Sequence, residues 1–309
     1  MALTLLEASK LHSGDAIRQA VIQLYAGSSG VLMALPFDNI AGNALKYNRE
    51  ESLPGVGFRG VNESYSESTG ILNPITETLS IAGGDLDVDK FIVDTQGTDQ
   101  RAVQEAMKIR ALGLAWTSKF IKGDTASDPR EFDGLQTRLT GGQVINAGAT
   151  SGGDALSLLL LDTLIDQVVD PTHLIMNKTM RRRLTQASRS TNIGGFITFT
   201  TDAFGNQIEV YNKLPIIVMD LDNASNAILP FTEANPGGGT AASTSIYAVS
   251  FREGMLTGIQ NGDIVARDLG ELQTKPAYRT RVEWYPGISC YHGRAAARLN
   301  GIKDAAVTA

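Results

Sequence analysis

Apolar residues recur at three- and four-residue intervals through DQRAVQEAMKIRALGLAWTSKFIK. Val103, Met107, Ala111, Leu114 and Ile121 form one stripe, which predicts a helix facing a sheet or partner helix. Thr98 stands at its cap position and Gly123-Asp124 at its end. At about 1.5 Å per residue such a helix is about 36 Å long, the length of a structural spine. A second apolar block, ALSLLLLDTLIDQVV, has Ser151 and Asp154 ahead of it as a capping box and Pro171 behind it. Its run Leu158 to Leu161 is apolar nearly all round, so this helix belongs in a core. THLIM reads as a strand, Asn177 as the cap of the basic helix KTMRRRLTQA, and FITFT and QIEVY as strands around Phe204-Gly205-Asn206. PIIVMD, SIYAVSF and YRTRVEWY are further strands; in the last, Arg279, Arg281 and Glu283 share one face and Thr280, Val282 and Trp284 the other. Near the N-terminus, Leu5, Leu6, Leu11, Ile17, Val21 and Leu24 suggest two short helices broken at Ser13-Gly14-Asp15, followed by VLMALPF as a buried strand or extended connector.

The segment from Asn43 to Phe91 follows neither period for long. ALKYNRE and ETLSIAG fit two strands, and LPGVGFRGVNESYSESTG between them is rich in Gly, Ser and Glu. An isolated two-stranded ribbon is marginal in water. This arm holds too few large apolar residues for a core of its own, so its stabilising surface is expected on another chain.

The chain has 309 residues, of which 42% are hydrophobic and 6% aromatic, with 32 glycines, enough for one large or two modest compact domains. The net charge is −6 and the basic residues are scattered, which argues against a dedicated nucleic-acid-binding module. One cysteine, Cys290, excludes an internal disulfide and a thiolate zinc site. The N-terminal sequence lacks the pattern of a secretory signal, and no apolar run is long enough to span a bilayer; no membrane partner is expected.

Chemistry is sparsely indicated. Gly55-Val56-Gly57-Phe58-Arg59-Gly60 matches G-x-G-x-x-G, but polar VNESYSEST follows where a phosphate-binding helix should begin. Asp85, Asp87 and Asp89 alternate and would point one way on a strand. They lack the glycine and closing glutamate of a calcium loop, so ion pairs with basic side chains, within or between chains, are the simpler expectation. His12, His173 and His292 have no metal-ligand spacing, and Cys290 with His292 lacks any motif for an oxyanion hole or orienting acid. Arg181-Arg182-Arg183 suits either phosphate contact or a solvated or intersubunit ion-pair face. No catalytic, cofactor-binding or metal residues are assigned, and no cofactor.

The order of elements nonetheless carries a resemblance. PFDNIAGNALKYNRE leading into the arm, GGDLDVDKFIVD closing it, the spine DQRAVQEAMKIRALGLAWTSKFIKGD, FDGLQTRL after it and the C-terminal RVEWYPGISCYHGRAAARLNGI together resemble the major capsid proteins of tailed bacteriophages with the HK97-type fold. The resemblance implies an α+β fold: an N-arm at 1–42, an extended E-loop hairpin at 43–92, a peripheral domain with the spine helix at 93–150 and 255–287, and an axial α/β domain at 151–254 and 288–309. It implies a self-assembling shell of pentamers and hexamers around double-stranded DNA, part of the virion and assembled in the host bacterial cytoplasm. Separate scaffolding, portal and decoration proteins are the further partners it suggests. Intersubunit contacts fall on the E-loop residues Phe58, Arg59, Glu63, Tyr65 and Glu67, on the E-loop base Lys46, Arg49, Asp85, Asp87 and Asp89, and on an axial loop at Asn235, Pro236, Gly237 and Gly238.

Two departures shape these expectations. The chain opens on arm-like sequence at Met1, so a scaffold would be a separate protein, and there is no lysine between Glu51 and Gly84 for a covalent crosslink of the family's type. The shell is therefore expected to hold by non-covalent contacts. Two other readings remain: an encapsulin-type shell around a cargo enzyme, and a soluble α/β enzyme using Cys290 and His292.

Overall fold

A computed structural model describes residues 3–4, 29–96, 99–189, 197–201 and 207–308. The two expected N-terminal helices, the Thr98 cap and the Phe204–Asn206 turn lie outside them. After β1 (Leu3–Thr4), the VLMALPF segment divides. Its first half is a helical turn, α1 (Gly30–Ala34), and only Pro36 opens a strand, β2 (Pro36–Asn39). The helix forms because Ser29 caps it, its Oγ accepting the Val31 N–H at 3.3 Å, while Val31 and Leu32 both point inward.

The arm also divides differently from expectation. Its ribbon is β3 (Ala44–Ser52) against β4 (Ile71–Thr78), running from Ala44 opposite Thr78 to Ser52 opposite Ile71. ETLSIAG is not one strand. The Leu79 N–H bonds to Asn43 O and the Ser80 N–H to Pro286 O, which turns the chain out of the ribbon and into β5 (Ala82–Asp89) of another sheet. Asp89 then accepts the Phe91 N–H at 2.8 Å and starts α2 (Lys90–Gln96).

The spine is α3 (Asp99–Lys122), of the expected length, but rotated from the expected stripe. Of that stripe Ile121 is buried as expected, but Val103 and Met107 are exposed, whereas Ile109, Trp116 and Phe120 are buried with Leu112 packed beside them. The aromatic rings decide the rotation, since they bring more area to bury than Val103 and Met107. Trp116 lies between Phe120, Phe37 and Trp284, at centroid distances of 5.3, 5.7 and 5.8 Å. Past α4 (Leu135–Arg138) and β6 (Val144–Asn146), the capping box expected at Ser151 does not form. Gly152 and Gly153 turn the chain at φ +82° and +97°, and Asp154 accepts the Thr150 N–H at 3.2 Å. The helix α5 (Leu158–Gln167) begins at Ser157 instead. It turns Leu158, Leu161, Leu164 and Ile165 inward and leaves Leu159 exposed.

The rest follows the sequence pattern closely. Asn177 ends β7 (His173–Asn177) and caps α6 (Lys178–Ser188), its Oδ1 accepting the Met180 N–H at 2.8 Å. β8 (Ile197–Thr201) pairs with β9 (Gln207–Tyr211), which pairs with β10 (Leu214–Met219). With β11 (Thr244–Val249) and β16 (Ala296–Ile302), these make a seven-stranded sheet in the order β6-β16-β11-β7-β10-β9-β8. β12 (Leu256–Gln260) and β15 (Pro286–Cys290) join β1 and β2 in a four-stranded sheet. β13 (Val265–Glu271) and β14 (Ala277–Trp284) join β5 in a three-stranded one. Two apolar cores result. One gathers around Trp116, Phe120, Phe37 and Trp284; the other packs α5 and α6 on the seven-stranded sheet through Leu161, Leu164, Met180, Leu184 and Tyr211.

Candidate intersubunit surfaces

The β3–β4 ribbon leaves the body from a compact polar root. Tyr47 donates its hydroxyl to Cys290 O at 2.9 Å, lies 3.3 Å from Glu77 Oε1, and packs its ring 4.7 Å from that of Tyr291. Arg138, at the end of α4, donates to both oxygens of Glu77, at 2.5 and 2.7 Å. This is the two-pronged geometry that a guanidinium offers a carboxylate. Burial, with Glu77 beside it, pushes the Tyr47 hydroxyl well above its ordinary value, so it stays a neutral donor. None of Tyr47, Glu77 and Arg138 stood out in the sequence. Their signal was a tyrosine and a glutamate on the half of the ribbon nearest its ends, too weak to act on alone.

Past the root the ribbon is exposed and the tip is held by its own contacts. The Arg59 guanidinium stacks over Tyr65, 5.1 Å from the ring centre, and donates to Glu63 O at 3.1 Å. The Glu63 carboxylate accepts the Gly60 N–H at 2.8 Å across a turn in which Asn62 takes φ +67°. Ser68 donates to Gly55 O at 2.7 Å. Arg59, Glu63 and Tyr65 thus shape the tip, Glu67 is exposed, and no helix follows the glycine motif. The apolar side chains are left with no cover: Phe58 is 106% exposed, Val61 93% and Val56 92%. Such exposed apolar side chains gain nothing in water from their own chain. Phe58 is the one apolar side chain singled out in the tip by sequence; Val56, Val61 and Leu53 beside it are exposed too, as are Ile81, Phe91, Val103 and Met107 on the body.

Lys46 and Arg49 lie on β3, whereas Asp85, Asp87 and Asp89 lie on β5 in a different sheet. The five do not form a single base. Asp85 and Asp87 pair within the chain, opposite the basic face of β14. Arg281 donates to Asp85 at 2.7 and 3.0 Å, and Arg279 to Asp87 at 2.6 and 2.8 Å, with Lys275 also on Asp87 at 2.5 Å. Hydrogen bonds from these cations hold both carboxyls below the usual carboxylate range. Asp89 spends an oxygen on capping α2.

The loop at 233–244 is fastened at both ends. Glu233, 8% exposed, accepts from Arg298 at 2.8 Å and from the Ser245 hydroxyl, and pairs with Ser243 through the backbone. At its tip Asn235 donates to Thr150 O at 3.1 Å, and Gly238 O accepts from Gly152 N at 3.2 Å, so Asn235, Pro236, Gly237 and Gly238 rest on residues 149–153. Gly237 is required there, because a Cβ would stand 2.2 Å from Ala149 O.

The arginine run is largely an ion-pair face: Arg183 reaches Asp304 at 2.8 Å and Arg181 reaches Glu209 at 3.6 Å. Cys290 and His292 do not form a nucleophile and base. The thiol is buried, which pushes it up, and it donates to the His292 carbonyl at 3.3 Å, while the His292 Nδ1 accepts from Arg294 N at 3.0 Å. Among the described residues no cluster suits a metal ion, and no helix is long and apolar enough to cross a membrane.

This architecture, a projecting ribbon, a long spine helix under a three-stranded sheet and a seven-stranded α/β layer, is the HK97-type capsid fold. It matches the SrpI encapsulin complex of Synechococcus elongatus with a TM-score of 0.65 at 16% identity, covering 89% of this chain and 88% of that one. It matches the capsid of a native GTA particle at 0.64 and 14% identity, covering 89% and 90%. A chain of Mycobacterium phage Bobi matches at 0.61 and 15% identity, covering 88% and 89%. No curated protein matches by sequence. The profile of the major capsid protein GP7 family matches residues 40–214, more than half of the chain, and the chain belongs to that family.

Proposed function

We propose that the chain assembles, as pentamers and hexamers, into the icosahedral shell of a phage virion, enclosing double-stranded DNA and forming in the host cytoplasm. The observation that carries this reading is the ribbon. It is pinned at its root by Glu77 and Arg138 and ends in apolar side chains that are almost fully exposed. In this reading segment 43–92 acts as the E-loop lying over an adjacent subunit, and the loop at 235–238 turns toward the symmetry axes. The peripheral part comprises 93–150 and 255–287, the axial part 151–254 and 288–309, and 1–42 the N-arm. The arm holds no lysine between Glu51 and Gly84, so the bracing is non-covalent. Many simultaneous weak contacts then hold the shell. An acidic subunit, at net charge −6, suits a wall that contains DNA without gripping it. Scaffolding, portal and decoration proteins are the partners this function calls for.

The test has two parts. Purified particles imaged by electron microscopy are expected to contain nuclease-protected DNA; uniformly cargo-filled shells without DNA would make the encapsulin-type reading, which the SrpI likeness supports, the correct one. Deleting residues 54–69 is expected to leave a folded subunit that forms no stable shell. Normal particles from that deletion would end the bracing role.

A further inference from the structure

A recess of about 140 Å³ opens beside the root of the ribbon, lined by the apolar side chains of Ile81, Leu112, Trp116 and Phe132 and also by Lys119, Arg130 and Glu131. Two features mark it as incomplete. Trp116 is 3% exposed, yet its indole Nε1 has no acceptor among the described residues. A buried donor without a partner is costly and uncommon. At the mouth, Ile81 is 79% exposed.

We propose that this recess receives Phe58 from the ribbon tip of a second copy of the chain. This rests on the bracing role above and names its socket. Two observations select the occupant. The first is size, because a cavity of about 150 Å³ with apolar walls holds a benzene molecule, and Phe58 carries the one phenyl ring of the tip. The second is reach. From Thr78 back to Ile71 the ribbon runs about 25 Å at about 3.4 Å per residue, and Phe58 lies beyond, fully exposed. Ile81 stands three residues past the other end of the ribbon, so the tip is carried away from its own recess and toward a neighbour's. With Gly57 and Gly60 flanking the Phe58-Arg59 pair, the tip backbone is bare enough to bring a carbonyl to the Trp116 N–H.

Phe58→Cys combined with Ile81→Cys tests the pairing in assembled particles. Mild oxidation is expected to yield a ladder of covalently joined subunits on a denaturing gel, with neither single variant giving one. Assembled particles without a ladder overturn the proposal. A ladder from Phe58→Cys with Met107→Cys, and none with Ile81→Cys, also overturns it while leaving the ribbon as a brace on another surface. Phe58→Ala is a second readout: the subunit concentration at which shells form should rise at least tenfold, and Phe58→Leu should restore much of the loss. An unchanged concentration for Phe58→Ala refutes the socket. It does so without touching the bracing role, which stands or falls on the 54–69 deletion.

Discussion

Replacing Arg138 with methionine removes one partner of the ion pair that fastens the ribbon. The Glu77 and Arg138 side chains keep only 11% and 18% of their exposure, so Glu77 is left as a largely desolvated carboxylate with the Tyr47 hydroxyl as its nearest remaining donor. Breaking a buried pair from one side costs about 3–5 kcal/mol, and the residual exposure places this one near about 3 kcal/mol. The loss falls on the ribbon because Glu77 belongs to β4 and Arg138 to the body. At about 1.4 kcal/mol per tenfold, root opening becomes roughly a hundredfold more frequent. Amide exchange of the unassembled subunit, followed by mass spectrometry, is expected to accelerate by that factor in 44–52 and 71–78 while 244–249 keeps its protection. Adding Glu77→Leu should recover most of the loss, because an apolar pair of similar volume no longer strands a charge. Exchange in Arg138→Met within threefold of the parent, or a double variant as labile as the two single losses added together, would refute the claim that this pair holds the ribbon.

Asn177→Ala should cost about 2 kcal/mol, read as a lower thermal midpoint, because a buried cap of α6 and the donor to Leu229 O are lost together. A change under about 0.5 kcal/mol would contradict the capping role. His173 is pushed by burial from 6.5 down to about 4. Between those values the unfolded chain binds a proton that the folded chain refuses, so stability should fall with pH across that window by at most about 3 kcal/mol and, from this group, no further below pH 4. Urea midpoints at pH 7 and 4.5 should therefore converge in His173→Gln, and equal pH dependence in the two proteins would dispose of the assignment.

Elements with one dominant local signal were legible in the sequence. Asn177 followed by KTMRRRLTQA gave a cap and a helix because the capping bond is made within four residues. Alternation in YRTRVEWY placed Thr280, Val282 and Trp284 inward for the same local reason. Errors came where a distant partner decided. Ile109, Leu112, Trp116 and Phe120 also recur at three- and four-residue spacing, so the sequence offers two stripes on α3, and the choice between them follows from Trp116 meeting Phe37 and Trp284, residues far away in sequence. The break at Leu79–Ser80 depends on Pro286 O, and the pairing of Asp85 and Asp87 depends on Arg279 and Arg281. For the surface, the sequence drew attention to charged and aromatic tip residues. The structure divides them by use: Arg59, Glu63 and Tyr65 build the tip, and the plain apolar residues beside them are left exposed.

The stiff root makes the ribbon a lever. With an arm of about 30 Å, a tilt of about 5° at Glu77 and Arg138 displaces the tip by about 3 Å, nearly one residue's rise along a strand. Small changes in angle between neighbouring copies are therefore magnified at the tip. In the proposed shell, a surface that mixes different curvatures would take up that displacement beyond Ser52, in the segment that carries glycines at 55, 57, 60 and 70.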